Sequence, residues 1–122
     1  MTLEQIQQFN EKFQKQAVQL SELIPSGSLV QATSMLIRSA REIHDYFIKL
    51  LKSRSEDQFN RVMEKMEEEM DDLVFILDQL ELANKKQQIS LIEDFLKDGY
   101  GMMSIYSKCI DQIIDKKVHK EE

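Results

Sequence analysis

The sequence predicts an all-α protein, an antiparallel up-down-up-down four-helix bundle. Apolar residues recur at spacings of three and four through four long segments. The segments are broken at three places only, Pro25-Ser26-Gly27-Ser28, Ser53-Arg54-Ser55 and Asn84-Lys85-Lys86. Three Gly and one Pro in 122 residues leave little chain for turns.

The first segment spans about residues 2–24. Thr2 and Gln5 have capping-box spacing. Leu3, Ile6, Phe9, Phe13, Ala17, Leu20 and Ile24 form its stripe, and Pro25 and Gly27 end it. The second segment runs from about 28 to 52, with Leu29, Thr33, Leu36, Ala40, Ile43, Phe47 and Leu50 on one face. Ser55 and Gln58 repeat the capping-box spacing and open the third. Its stripe is Phe59, Val62, Met66, Met70, Leu73, Leu77 and Leu80, and Asn84 reads as a left-handed C-terminal cap. The fourth begins between Gln87 and Ser90, with Ser90 and Glu93 as a third capping box. Its stripe is Ile92, Leu96, Gly99, Met103, Tyr106, Ile110 and Ile113. Residues 1–116 make the bundle, and 117–122 form a charged, frayed tail. Short connections force neighbouring helices to run antiparallel.

A chain that is 42% hydrophobic and 31% charged is globular rather than disordered. A net charge of −6 opposes duplex nucleic-acid binding, which draws most of its affinity from neutralised phosphates. A single cysteine, Cys109, allows no intrachain disulfide, so a reducing, cytoplasmic compartment is expected. No run approaches the ~20 apolar residues of a membrane span. Met1-Thr2-Leu3-Glu4 shows no secretory signal pattern.

One apolar band exceeds what a monomeric bundle needs. Leu73-Val74-Phe75-Ile76-Leu77 is apolar nearly all round, which marks burial on more than one side. Val74, Phe75 and Ile76 are therefore candidate subunit-interface residues. Gly99 and Gly101 join them, because Gly inside a helix costs about 1 kcal/mol against Ala and suits close approach to a neighbouring helix or subunit. A local break at Asp98-Gly99-Tyr100-Gly101 is the alternative.

Reactive chemistry is thin. Glu64, Glu67, Glu68, Glu69, Asp71 and Asp72 are the loudest charge feature, and Glu69 and Asp72 have E-x-x-D spacing suited to Mg²⁺. The stretch Glu69-Met70-Asp71-Asp72-Leu73-Val74-Phe75 resembles the metal helix of MazG-type nucleotide pyrophosphohydrolases. That likeness implies a metal set of Glu42, Asp45, Glu69 and Asp72. The second acidic helix of that family is matched only by Glu42 and Asp45, and helical phase turns Asp72 about 130° and Glu69 about 70° from the core. A solvated acidic face is the plainer interpretation. His44 and His119 lack ligand-spaced neighbours and read as surface residues, and Cys109 reads as a small residue near the seam. No catalytic residue and no cofactor is expected. Arg38, Arg41, Lys49, Lys52, Arg54 and Arg61 could form a basic patch for RNA or a protein partner, although interleaved acids favour a plain solvated face.

Met35-Leu36-Ile37-Arg38-Ser39-Ala40-Arg41-Glu42-Ile43, then Ser55 and Phe59, then Glu69, Leu73 and Leu77, resemble a bacterial four-helix-bundle family. Its members were first noticed as reading frames in intervening sequences of large-subunit ribosomal RNA genes. The accessory variability determinant of diversity-generating retroelements belongs to the same group. The resemblance covers roughly residues 10–115. It implies a non-enzymatic bundle that assembles into a ring, typically a pentamer; in the retroelement branch the ring binds a reverse transcriptase and structured RNA. His44-Asp45-Tyr46-Phe47 departs from the family pattern, and this chain is acidic where retroelement members are basic. The leading expectation is a self-assembling scaffold or adaptor for a protein partner, with no membrane role. The alternatives are the Mg²⁺-dependent pyrophosphohydrolase and an acidic decoy whose carboxylates at 64–72 occupy a partner's nucleic-acid site.

Overall fold

Among the described residues four helices follow one another: α1 (Leu3–Leu23), α2 (Gly27–Lys52), α3 (Glu56–Asn84) and α4 (Ser90–Glu121). They come from a computed structural model that describes residues 2–23, 27–85 and 89–121, with side chains over 2–22, 31–85 and 89–116. Ile24, Pro25, Ser26, Lys86, Gln87 and the side chains of Leu29, Val30 and His119 lie outside the described residues.

Each helix packs on its chain neighbours, and α1 closes the ring against α4. The contacts run in opposite senses along every adjacent pair. Leu3 shares a groove with Ile113 and Lys116, whereas Leu20 shares one with Leu91 and Phe95. Leu3 and Ile6 share a groove with Phe47 and Leu51, whereas Gln14 meets Arg41; Asn84 bonds Ile89, whereas Leu77 lies against Gly99. Met35 lies beside Phe75 and Ile76, and Ser39 beside Glu69. The helices therefore alternate up and down, as short connections demand.

The stripes meet in one core. Leu36, Ala40 and Ile43 of α2, Met66, Leu73 and Leu77 of α3, and Phe13 and Ala17 of α1 are at most 1% exposed. Phe13 stacks on Phe95, ring centroids 4.8 Å apart. Leu3, although on the α1 stripe, is 46% exposed at the bundle's end.

Capping follows the sequence signals at two sites and departs from them at two. The Thr2 hydroxyl accepts from the Gln5 N–H at 3.1 Å, and Gln5 Oε1 accepts from the Thr2 N–H at 2.8 Å. At α3, Ser55 Oγ accepts from the Gln58 N–H, while Gln58 Oε1 reaches back to the Arg54 N–H instead of that of Ser55. Ser90 is the first helical residue of α4 and not its cap: the Ile89 carbonyl accepts from the N–H groups of Ile92 and Glu93. Asn84 is the last residue of α3, not a left-handed cap. Its amide bridges the turn instead, accepting from the Ile89 N–H at 3.0 Å and donating to the Ile89 carbonyl at 3.3 Å.

α4 stays helical through Gly99 and Gly101 and on to Glu121, so no break occurs at 98–101 and the backbone past Lys116 continues the helix. Gly99 is an intramolecular contact. A Cβ there would lie 2.9 Å from the Leu77 side chain and 3.0 Å from that of Phe13, so any larger residue requires those buried side chains to shift. Gly101 has open space at the same position. Among the described residues no helix is long and apolar enough to cross a membrane.

Candidate functional site

Among the described residues two polar assemblies and one apolar patch stand out, besides the Tyr100 hydroxyl of α4 that bonds Asp78 and Glu81 of α3. The first crosses three helices. Asn10 is 1% and Tyr106 0% exposed, so their polar atoms need partners inside the protein. Arg41 fixes the direction of the chain of bonds, because a guanidinium only donates. Its Nε donates to Gln14 Oε1 at 2.9 Å, and Gln14 Nε2 donates to Asn10 Oδ1 at 2.6 Å. Asn10 Nδ2 then donates twice, to the Ala40 carbonyl at 3.0 Å and to the Tyr106 hydroxyl at 2.9 Å. The Tyr106 O–H is left to donate to His44 Nδ1, 2.8 Å away. Burial holds the Tyr106 phenol in its protonated form, against the opposing pull of the Asn10 bond. Burial also lowers the His44 pKa, opposed by the charges of Asp45 and Glu11. His44 is thus an internal acceptor on its Nδ1 side, not the surface residue its flanking position predicts. The cleft outside, about 190 Å³, is lined by Gln7, Glu11, Gln14, Arg41 and Asp45 among others.

The second assembly lies between α2 and α3. Glu69 is pushed up to about 7, first by burial, then by a hydrogen bond with Glu42 and the charges of Glu42 and Asp72; the Ser39 hydroxyl works the other way. A carboxyl–carboxyl hydrogen bond needs a proton on one partner. Three of the four predicted metal-set residues, Glu42, Glu69 and Asp72, therefore share one neighbourhood. Asp45 does not join them: it lies in the α1–α2 cleft with His44 and Arg41. Among the described residues no group of three or more His, Cys, Asp or Glu is placed to hold a metal ion.

Beside this cluster, Phe75 is 62% and Met35 52% exposed, and both border a groove of about 190 Å³ with Arg38 and Asp72. Leu82, seven residues beyond Phe75 on the same line of α3, is 58% exposed. These are the most exposed of the large hydrophobic side chains described.

The predicted interface residues separate. Phe75 faces solvent, Val74 is half-buried, and Ile76 is 8% exposed in the core cluster. Gly99 faces inward, and Gly101 is half-buried beside open space. The basic residues diverge as well. Arg38 turns toward α3 and pairs with Glu42 at 3.8 Å, Arg41 turns to α1, and Lys49 sits 5.5 Å over the Tyr46 ring. Lys52, Arg54 and Arg61 are exposed around the α2–α3 turn. Cys109 is half-buried beside the groove of Leu3, Phe47 and Ile113 at the bundle's end.

Sequence reasoning missed Asn10, Gln14, Ser39 and Met35. Asn10 had a signal, because it occupies a stripe position between Ile6 and Phe13. A polar residue in such a slot needs a buried partner. Another groove, about 320 Å³ between α1 and α4, holds Gln16, whose buried Oε1 has no hydrogen-bond partner among the described residues. Comparison with family models, with curated proteins and with solved structures finds no match to this chain.

Proposed function

We propose that the chain is a non-enzymatic helical scaffold or adaptor whose working surface is the outer α2–α3 face. The carrying observation is the exposure of Phe75 and Met35 beside one groove. In a bundle whose described stripe residues, Leu3 apart, are buried or half-buried, neighbouring apolar side chains left in water mark a site for another chain. The divergence of Asp45 from Glu42, Glu69 and Asp72 weighs against the pyrophosphohydrolase alternative. The polar chain through Tyr106 is satisfied by internal bonds, which suits a structural role. The resemblance to the ribosomal intervening-sequence and retroelement bundles supports the same class, with a protein partner such as a reverse transcriptase.

A second reading seats further copies of this chain on the same face, up to the ring that the resemblance implies. Phe75 and half-buried Val74 are the interface residues it retains.

Sedimentation velocity of the tagged chain in an extract of cells that make it tests the proposal. A species larger than the 14.4 kDa monomer is expected, reduced by the pair Phe75→Ser and Met35→Ser. Unchanged sedimentation of that variant contradicts it. So does release of monophosphate from a nucleoside triphosphate panel with Mg²⁺ that Glu69→Gln abolishes.

A further inference from the structure

We infer that the occupant of the α2–α3 face is a basic amphipathic helix of a partner protein, docking its apolar side on Phe75, Leu82 and Met35 and its cations on the surrounding carboxylates. The inference rests on the face proposed above and names its ligand chemistry. Phe75 and Leu82 are one heptad apart, about 10 Å at 1.5 Å per residue, which matches the spacing of apolar residues seven apart on an incoming helix. Phe75 is preceded at i−4 and i−3 by Asp71 and Asp72, both exposed, whereas Asp78 at i+3 turns to α4 and accepts from the Tyr100 hydroxyl. Between residues 64 and 72 the sequence places six acids, Glu64, Glu67, Glu68, Glu69, Asp71 and Asp72, against one base, Lys65, and Arg38 of α2 is the base that lines the groove itself.

Charge selects among occupants. A second copy in isologous pairing sets its acidic row against this one, carboxylates against carboxylates, and a copy in a ring still brings a net charge of −6. A nucleic acid meets the same repulsion. A helix with Lys or Arg beside its apolar stripe gains from both parts of the surface.

The probe is a peptide of about 18 residues with Leu on one helical face and Lys on the other. Controls are the same peptide with Glu for Lys, and a Lys peptide of identical composition with its Leu scattered. Calorimetric titration into the full chain, with shifts of the Met35 methyl signal, gives affinity and location. The basic amphipathic peptide is expected to bind and to move the Met35 signal. Phe75→Ser is expected to weaken binding at least about tenfold, and Asp71→Asn with Asp72→Asn several-fold. Raising salt from about 50 to about 300 mM is expected to weaken it too. Equal binding by the Glu or scattered peptide, or unchanged binding by Phe75→Ser, overturns the inference. If the basic peptide fails while Phe75→Ser and Met35→Ser still reduce the species seen by sedimentation, the basic ligand is wrong and the face stands. If those variants alter neither measurement, both fall. Phe75 is 62% exposed, so its loss leaves the core intact, and an unchanged melting midpoint checks this.

Discussion

The Tyr106 hydroxyl on α4 lies 2.8 Å from His44 Nδ1 on α2, while the same oxygen accepts from Asn10 of α1. Three helices are tied at one oxygen atom in a site without exposure. Such a knot fixes helix register, because sliding any of the helices by a turn leaves buried polar groups unpaired.

Tyr106→Phe keeps the ring, which packs edge-on against Phe47 at 5.3 Å, and deletes only the oxygen. His44 Nδ1 and one Asn10 N–H then lose their partner. The expected cost is about 1–3 kcal/mol, the range for leaving buried groups unsatisfied. Urea unfolding checks it; a midpoint equal to that of the unsubstituted chain contradicts the bond pattern.

Two groups give stability opposite slopes with pH. His44 is held below its ordinary value of 6.5, so near that pH the native state binds fewer protons than the unfolded chain. Its contribution is complete above about 6.5 and is lost as pH falls through the lower native value. Protonation puts an N–H on Nδ1, facing the Tyr106 O–H that donates there. Glu69 is held at about 7 against 4.5, so the native state binds more protons across that interval. Its contribution is complete below about 4.5 and is lost as pH rises through about 7. Urea midpoints across this range are expected to fall less on the acid side for His44→Gln and less on the alkaline side for Glu69→Gln. The same profile for all three proteins contradicts both assignments.

The two glycines of α4 separate a packing role from a propensity cost. Gly101→Ala meets open space and is expected to stabilise by about 1 kcal/mol through helix propensity. Gly99→Ala drives a methyl group against Leu77 and Phe13, both at most 1% exposed, and is expected to lose about 1–3 kcal/mol from overpacking, offset in part by the same propensity gain. Thermal unfolding of the pair checks the order; a more stable Gly99→Ala than Gly101→Ala contradicts the close approach.

Asn84 is 5% exposed and closes the α3–α4 turn with two bonds to Ile89. Asn84→Ala is expected to cost about 1–2 kcal/mol, and Asn84→Asp to recover only part of it, because Asp keeps the acceptor for the Ile89 N–H and loses the donor. Chemical denaturation of the two variants distinguishes the amide's roles.

The bundle was legible because helical period and burial speak the same language. Thr33, Leu36, Ala40, Ile43, Phe47 and Leu50 share a face by count and are all buried. Phe95 and Met102 are buried too although they flank the α4 stripe, since a helix between two neighbours buries more than one line. The knot at Tyr106 was not legible. Asn10 and Tyr106 are 96 residues apart, and a polar residue in an apolar stripe announces a need without naming its partner. His44 looked unpartnered because its partner comes from α4 and not from its own helix. The closeness of Glu42 and Glu69 escaped for the same reason: phase places each residue on its helix but not one helix against another.

The working surface is tested most directly by a photoreactive benzoylphenylalanine at position 75, irradiated in cells that make the protein, with position 111 on α4 as an exposed control. Adducts to another chain are expected from position 75 and not from 111. Equal adducts from both positions, or none from 75, contradict the assignment of the α2–α3 face.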